Sequence, residues 1–256
     1  MSDRNLRIVP RLDVKQGKLI KGVQMEGWRK VGDPVEFAKL YSETGADEMI
    51  FMDVVASLYG RNGLHEVVEQ VASEVFVPLT VGGGVRTLDD VASLLQRGAD
   101  KITLNTAAID RPELISEIAD AYGSQAVVVC IEAIEREGGR FEALTDNGRN
   151  LTGIDVHDWA EKAAALGAGE LMITSINRDG RGDGYELGLL SAIAERVSVP
   201  VIASGGLGAP EDLSDLVANS SVSAACVAQA LHWKKLEMAD LRRAAADSGC
   251  FVRDLI

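Results

Sequence analysis

The sequence predicts an α/β fold in which short buried strands alternate with amphipathic helices. An apolar run of four to eight residues followed by a segment with helical spacing recurs eight times along the chain. Two glycine-rich turns, each between such a strand and such a helix, lie 122 residues apart. Eight strand–helix units in 256 residues, in two similar halves, predict a (βα)8 TIM barrel with two similar half-barrels. We expect one domain over residues 1–256, and a doubly wound open sheet is the alternative.

The strands are predicted where apolar residues form short, unbroken runs. Such runs are typical of parallel strands that are buried on both faces. In chain order they cover residues 7–12, 48–53, 78–81, 101–104, 126–133, 171–176, 200–204 and 223–228.

The helices are predicted where apolar residues recur every three or four positions after a strand. Several of these segments have glycine or asparagine just past their last residue, as at Gly45 and Gly167, which is typical of a helix end. They cover residues 34–44, 64–74, 88–97, 111–122, 155–166, 186–197, 210–218 and 236–246.

Two turns with adjacent glycines are the most informative motif. Gly83 and Gly84 follow the third predicted strand, and Gly205 and Gly206 follow the seventh. A strand that ends in glycine and leads into a helix presents backbone N–H groups to an anion, because no Cβ blocks the approach and the helix dipole favours negative charge. The sequence therefore predicts two phosphate sites on opposite sides of the barrel mouth, and a substrate with a phosphate at each end.

The composition excludes several classes of partner. An excess of 39 acidic over 26 basic residues gives a net charge of −13, which repels nucleic acid and anionic membranes. No apolar run reaches the ~20 residues that span a bilayer, and the first residues do not form a secretory leader, so we expect a cytoplasmic protein. Neither the three cysteines nor any histidine or carboxylate cluster has metal-ligand spacing, so we expect no metal and no cofactor.

Two connections that follow strands are long. Residues 15–33 combine glycines with lysines and arginines, which suits a mobile lid over an anionic substrate, although a solvated loop is an equal interpretation. Residues 134–153 contain a predicted hairpin turn at 135–140.

Catalytic residues are expected where a polar side chain interrupts the end of an apolar strand, because the active sites of TIM barrels form at the C-terminal ends of the strands. Asp13 ends the first strand and Glu132 lies near the end of the fifth, so the two carboxylates face each other across the mouth. Such a pair can divide general acid and general base work. The alternative is that they form ion pairs with Arg11, Lys15 or Lys21.

Other polar residues at strand ends complete the predicted pocket. Asn105 and Thr106 close the first phosphate site, and Ala228 and Gln229 occupy the related place in the second half. The remaining candidates are Asp53, Thr174, Asp179 and Ser204. The three histidines, His65, His157 and His232, are expected to be structural.

Several motifs together resemble the cyclase subunits of imidazole glycerol phosphate synthase, a family of the histidine pathway. The resemblance runs from Arg7 to about Asp254 and rests on Leu12-Asp13-Val14-Lys15, Gly32-Asp33-Pro34-Val35, Thr80-Val81-Gly82-Gly83-Gly84, Gly98-Ala99-Asp100-Lys101, Asn105-Thr106-Ala107-Ala108, Gly123-Ser124-Gln125-Ala126 and Ala203-Ser204-Gly205-Gly206. The related single-chain isomerase of the pathway fits Gly123-Ser124-Gln125 and Asn147-Gly148 less well.

This resemblance implies an activity, a partner and a set of roles. The substrate would be a phosphoribulosyl formimino aminoimidazole carboxamide ribonucleotide with two phosphates, and the products imidazole glycerol phosphate and aminoimidazole carboxamide ribonucleotide. A glutaminase subunit, forming a heterodimer with this chain, would supply ammonia at the N-terminal face of the barrel. Asp13 would be one acid/base, and Lys21 a lid residue. Gly83, Asn105, Thr106, Gly205 and Gly206 would bind phosphate, and Arg7, Glu48, Lys101 and Glu170 would form a ring of charges at the ammonia entrance.

The sequence departs from the family at three positions of the site. Glu132 stands where the family has aspartate, Arg11 where it has a small residue, and Gln229 where it has a small hydroxyl residue. The departures keep two alternatives to the cyclase open. One is a paralogue that conducts ammonia from a glutaminase to a separate sugar amidotransferase. The other is a phosphosugar-binding barrel without a glutaminase partner, against which the four-charge ring argues, since buried charges are costly unless paired or used.

Overall fold

The computed structural model describes residues 4–56 and 65–253. Twelve strands lie in these parts of the chain. In order they are β1 (Arg7–Lys15), β2 (Lys18–Val23), β3 (Glu26–Gly32), β4 (Met49–Asp53), β5 (Leu79–Gly82), β6 (Lys101–Leu104), β7 (Val127–Glu135), β8 (Phe141–Thr145), β9 (Asn150–Asp155), β10 (Glu170–Ser175), β11 (Val201–Ser204) and β12 (Ala224–Val227).

Eight of these strands close into a parallel barrel. The ring runs β1, β4, β5, β6, β7, β10, β11 and β12, and the parallel pairing of β12 with β1 closes it. Parallel pairing of β7 with β10 joins the two halves on the opposite side. An open sheet would leave two unpaired edges, so the predicted (βα)8 barrel is confirmed and the doubly wound alternative is wrong.

The helices lie between the strands and cover the outside of the barrel. They are α1 (Pro34–Thr44), α2 (His65–Glu74), α3 (Leu88–Gln96), α4 (Thr106–Asp110), α5 (Glu113–Tyr122), α6 (Val156–Ala165), α7 (Leu187–Arg196), α8 (Pro210–Asn219), α9 (Gln229–His232) and α10 (Met238–Asp247), with a 3-10 turn at Ser124–Ala126. Each predicted helix is present with bounds within two residues, except that Leu64, the predicted start of the second, lies outside the described residues. Helices α4 and α9 were not predicted. None of the described helices is long and apolar enough to cross a membrane.

The prediction of a loop over residues 15–33 is wrong, because the segment folds into the antiparallel strands β2 and β3. The chain reverses at Gln16 and Gly17, with φ of 50° and 69°, and again at Gln24 and Met25, with φ of 52° and 61°. Two successive residues with positive φ give the tight turns that match the twist of a hairpin. The second half has its own hairpin, in which β8 and β9 extend β7.

The core has two layers. The larger cluster lies between the barrel and the helices and includes Phe51, Leu94 and Trp159. A smaller cluster, which we call the interior layer, consists of Val9, Ile20, Ile50, Met52, Val54, Val55, Val128, Cys130, Met172, Ile202, Ala224 and Cys226. Most of its members lie on barrel strands, whose alternate side chains point inward.

Candidate active site

Asp13 and Glu132 lie on opposite sides of the barrel. Asp13 is on β1 and Glu132 on β7, and these strands are four positions apart in either direction around the ring. Both side chains are buried, with 9% and 3% of their surface exposed. The structure therefore has the opposed carboxylates that the strand ends predict, and their roles in catalysis stay a prediction.

Asp13 is paired with Arg11, one of the alternatives that the sequence left open. Arg11 Nε donates to Asp13 Oδ1 at 2.8 Å, and Arg11 Nη1 lies 3.4 Å from Thr174 Oγ1. Burial opposes the charge of Arg11, but attraction to Asp13 and other groups raises its pKa above the ordinary value. Arg11 is thus a fixed cation inside the mouth of the barrel.

His232 holds the backbone of Arg11 in place. Burial lowers the pKa of His232 to about 4, so the imidazole is neutral at physiological pH. Its Nε2 lies 3.0 Å from the carbonyl oxygen of Arg11, which can only accept, so Nε2 carries the proton. Nδ1 then accepts from the hydroxyl of Tyr41 at 2.7 Å. The prediction that this histidine is structural agrees with both contacts.

Glu132 has the environment of a group that exchanges protons near neutral pH. Burial raises its pKa to about 7, the charges of Asp13 and Asp179 act in the same direction, and Arg11 and an N–H donor oppose them. The donor is the backbone N–H of Gly148, which lies 2.7 Å from Glu132 Oε2. Gly148 ends a run of three residues with positive φ between β8 and β9. The sequence did not identify this contact, and only the Asp146-Asn147-Gly148 turn motif signals it.

A cavity of about 200 Å³ adjoins Glu132. Gly83, Gly84, Asn105 and Thr106 line it, as predicted for the first phosphate site. At Gly83, φ is +106° and an added Cβ would lie 2.3 Å from the carbonyl oxygen of Asp53, so only glycine fits. Among the described residues, Asn105 Oδ1 has no hydrogen-bond partner although it is buried. Phosphate binding here stays a prediction.

The related cavity in the second half is much smaller, at about 20 Å³. Ser204, Gly205, Gly206 and Gln229 are among its lining residues, together with Arg11. The side-chain amide of Gln229 donates to the carbonyl oxygen of Gly180 and narrows the space. The remaining volume is close to that of one water molecule. The two turns thus occupy equivalent places but differ in the room that they leave for an anion.

In each helix that follows a glycine turn, an aspartate of the first helical turn accepts from the two backbone N–H groups directly before the helix. Asp90 Oδ2 accepts from the backbone N–H groups of Arg86 at 2.9 Å and Thr87 at 3.0 Å. Asp212, 122 residues later, accepts in the same way from Gly208 at 2.8 Å and Ala209 at 2.9 Å. Anion binding at these two turns stays a prediction. The short helices α4 and α9, which begin beside the two cavities, have no side-chain cap.

Lys21 and Asp179 fasten the first hairpin to the barrel mouth. Lys21 Nζ lies 2.8 Å and 3.0 Å from the two carboxylate oxygens of Asp179. Asp179 Oδ2 also accepts from the backbone N–H of Met25, 3.2 Å away. Both ionic side chains are buried, at 5% and 8% exposed. The segment predicted as a lid is thus held against the mouth in this structure.

A closed ring of ion pairs lies at the other end of the barrel. Arg7 pairs with Glu48 at 2.7 Å and with Glu170. Lys101 pairs with Glu48 at 3.0 Å and with Glu170 at 3.2 Å. Each residue begins a barrel strand or directly precedes one, so the ring surrounds the N-terminal opening. Asp100 is exposed beside it. The sequence predicted this arrangement, whereas its use as an ammonia entrance stays a prediction.

Comparison with known proteins assigns the family. Residues 7–237 match the family described as "Histidine biosynthesis protein". A Legionella pneumophila protein described as "Imidazole glycerol phosphate synthase subunit HisF" is 53% identical over 210 residues, which are 82% of this chain and 99% of that protein. Proteins of the same description from Lysinibacillus sphaericus and Halalkalibacterium halodurans are 47% identical over 249 and 248 residues, or 96% of this chain and 98% of each relative. The chain therefore belongs to the histidine biosynthesis protein family.

Proposed function

We propose that this chain is the cyclase subunit of an imidazole glycerol phosphate synthase. It uses ammonia from a glutaminase to convert a bis-phosphorylated ribulosyl formimino aminoimidazole carboxamide ribonucleotide to imidazole glycerol phosphate and aminoimidazole carboxamide ribonucleotide. The observation that carries the proposal is the pair of buried carboxylates, Asp13 and Glu132, on opposite sides of a barrel mouth with a glycine turn in each half.

The two carboxylates differ in what they contact, which suits a division of proton transfer. Glu132, with its pKa raised by burial to about 7, is present in both protonation states at neutral pH and can therefore donate or accept. Asp13 has one oxygen fixed by a guanidinium. Glu132 adjoins the larger cavity, so a substrate bound there presents its reacting atoms between the two groups.

Each half of the barrel binds one of the two phosphate groups of the substrate. Gly83, Gly84, Asn105 and Thr106 bind one phosphate in the larger cavity, with Asn105 and Thr106 directly before and at the start of α4. Gly205 and Gly206 bind the other after Gln229 moves aside. Lys21, Asp179 and Ser204 line the second cavity, and we expect them and Thr174 to orient the substrate.

Ammonia enters through the ring of Arg7, Glu48, Lys101 and Glu170. The relatives are described as subunits, which supports a complex with a second chain. A glutaminase docks at this end, so the active species is a heterodimer. We expect the whole chain, residues 1–256, to act as one domain, in the cytoplasm.

Turnover of the ribonucleotide by the isolated chain with ammonium salts tests the proposal, because added ammonia bypasses the glutaminase. We expect turnover by the wild type and none by Asp13→Asn. Glu132→Asp should lower kcat, since the shorter carboxylate falls short of the proton that it must move and a misplacement of roughly 1 Å can reduce the rate on the order of a hundredfold. Glu135→Gln, an exposed change at the end of β7, is the matched control and should leave kcat unchanged. No turnover by the wild type at any ammonia concentration would contradict the cyclase.

A second candidate function is favoured by Arg11 and Gln229. Arg11 pairs with Asp13, and Gln229 narrows the second anion cavity, so the site departs from the simple pattern of two carboxylates and two open phosphate pockets. A paralogue that passes ammonia to a sugar amidotransferase needs the charged ring but not the cyclase centre. If the chain has that function, the wild type should not turn over the ribonucleotide, and Glu132→Asp should leave turnover absent or raise it.

A further inference from the structure

Arg11 lies on the inward-facing row of β1, in line with the charged ring below and with Asp13 above. Side chains alternate along a strand, so Arg7, Val9, Arg11 and Asp13 all point into the barrel. Four residues of strand place Arg11 ~13 Å above Arg7. A molecule that moves along the barrel axis from the ring to the carboxylates therefore passes the level of Arg11.

The guanidinium of Arg11 reaches across the barrel. Nε contacts Asp13 on its own strand, and Nη1 lies 3.4 Å from Thr174 Oγ1 on β10, three positions away around the ring. Cys130 on β7 and Cys226 on β12 are close enough to influence the pKa of Arg11. Only 5% of the residue is exposed. The group thus stands between strands on three sides of the barrel.

Part of the interior layer, at the levels of Val9, Val128 and Met172, lies between the ring and this guanidinium. These three side chains are apolar and fully buried, and the buried Thr80 and Thr103 on the neighbouring strands are polar but uncharged. Apolar surroundings favour an uncharged molecule such as ammonia over ammonium, because an ion loses its hydration there. For the same reason the charged head of Arg11 cannot move down into this layer. Its free direction is toward the mouth, where it already lines the second cavity.

We propose that Arg11 is a second gate on the ammonia route, which opens when its guanidinium moves off the axis toward the second cavity. The inference rests on the proposed function, in which ammonia enters at the ring and reacts at the mouth. A phosphate bound in that cavity is a better partner for the planar guanidinium than Thr174, since guanidinium groups bind phosphate through two hydrogen bonds. Substrate binding therefore opens the gate at the moment when ammonia is needed.

The complex of the full chain with its glutaminase subunit allows a test in which changes in the rate of the chemical step cancel. Turnover is measured with glutamine and again with ammonium salts, and the ratio of the two rates is compared between variants. A change at Arg11 also disturbs Asp13, but this lowers both rates alike because the same carboxylates act in both. We expect Arg11→Ala to raise the ratio by about threefold or more, since removal of a gate affects only the axial route.

Two further variants keep the test decisive. Arg11→Met is slimmer and uncharged but fills more of the space, and it should raise the ratio where Arg11→Ala does not fold. Glu135→Gln, at the exposed end of β7, alters neither the barrel axis nor the second cavity, so its ratio should stay at the wild-type value. An unchanged ratio in both Arg11 variants, with wild-type turnover intact, would overturn the gate alone. A wild type without turnover from ammonium salts would overturn the proposed function and the gate with it.

Discussion

Glu132 makes the stability of the barrel depend on pH in a direction opposite to that of an ordinary paired carboxylate. Its pKa is about 7 in the folded chain, against an ordinary value of 4.5. Between these values the unfolded chain has released the proton and the folded chain retains it. The unfolded state therefore binds fewer protons, and the free energy of unfolding falls as pH rises from about 4.5 to about 7 and is level above that.

Glu132→Gln should remove this decline, because an amide does not ionise and can still accept from Gly148. Relative to the variant, the wild type loses stability on the order of 3 kcal/mol between those pH values. Urea unfolding at a series of pH values measures it, and Glu135→Gln at the exposed end of the same strand is the matched control. Parallel curves for wild type and Glu132→Gln would show that the carboxyl titrates as it does in water.

Gln229 decides whether the second cavity accepts an anion. With the glutamine side chain in place the cavity has room for about one water molecule, whereas the first cavity is open. In phosphate-soaked crystals of the wild type, we expect an anion at Gly83 and Gly84 and weaker density at Gly205 and Gly206. Gln229→Ala should raise the second occupancy to that of the first, which is the control within the same crystal. Equal occupancy already in the wild type, or an empty second cavity in the variant, would contradict this.

The sequence places residues at strand ends but does not give the direction of a long side chain. Asp13 and Glu132 were predicted as opposed carboxylates from strand position alone, because the barrel fixes where strand ends meet. The contact of Arg11 with Asp13 was one of several options, because Lys15 and Lys21 are also close to Asp13 in the sequence. Gly148 supplies its N–H from the turn between β8 and β9, 16 residues after Glu132, and the sequence pattern does not show that this turn folds back onto the carboxylate.

Among the elements, the first hairpin depends on one buried ion pair. Lys21 on β2 and Asp179 beyond β10 are in contact at 2.8 Å. Removal of one partner leaves a buried charge without its counterion, which costs about 3–5 kcal/mol, whereas removal of both costs less. We expect Asp179→Asn and Lys21→Met to lower the free energy of unfolding in this range, and the double variant to lower it by less than the sum of the two.

Urea unfolding of the four proteins of this double-mutant cycle measures the coupling. The exposed pair Lys39 and Glu74, at 3.1 Å, provides the control, and Lys39→Met should give no measurable change. Additive losses at Lys21 and Asp179 would show that the two charges are independently solvated and that the hairpin is held by other contacts.

The sequence predicts the elements that follow from a single pattern of apolar residues. It does not predict the hairpin strands and short helices that lack such a pattern. All eight barrel strands follow from apolar runs. The hairpin of β2 and β3 was missed because its turns use Gln16, Gln24 and Met25 at positive φ, where asparagine or glycine is the usual signal. Strand β3 is mostly exposed and rich in charge, so it has no apolar run. The short helices α4 and α9 are too brief for a helical period to show.

At the scale of the whole molecule, the repeat at 122 residues extends beyond the glycine turns. Each half begins with a strand extended by a hairpin. Each also has an aspartate that accepts from the backbone N–H groups directly before the helix that follows the glycines, Asp90 in one half and Asp212 in the other. The halves differ inside the barrel. Arg11 stands two residues before Asp13 on β1, whereas Cys130 stands two residues before Glu132 on β7. Symmetry thus places the two predicted anion sites, and its violation at Arg11 and Gln229 accompanies the unequal volumes of the two cavities.

Phe76 lies at the end of the barrel where we expect the glutaminase to dock. It lies three residues before β5, beside the charged ring, and 91% of it is exposed. Together with Pro78, Gly98 and Asp100 it lines a shallow groove at this end. An exposed aromatic next to a groove is typical of the anchors at protein interfaces. Asp100 is a poorer probe of docking, because its Oδ2 also accepts from the backbone N–H of Leu79 at 2.8 Å.

Phe76→Ser should therefore weaken the complex with the glutaminase by about 1–2 kcal/mol, or roughly tenfold in Kd, through loss of buried apolar area. Turnover with ammonium salts should not change, because the mouth of the barrel is at the opposite end. Trp233→Ser is the matched control, since Trp233 is also an exposed aromatic, at 40%, but follows α9 beside the mouth, and it should leave Kd unchanged. Isothermal titration calorimetry measures both. An unchanged Kd in Phe76→Ser would place the partner elsewhere on the barrel, and the charged ring would then lack the contact that brings ammonia to it.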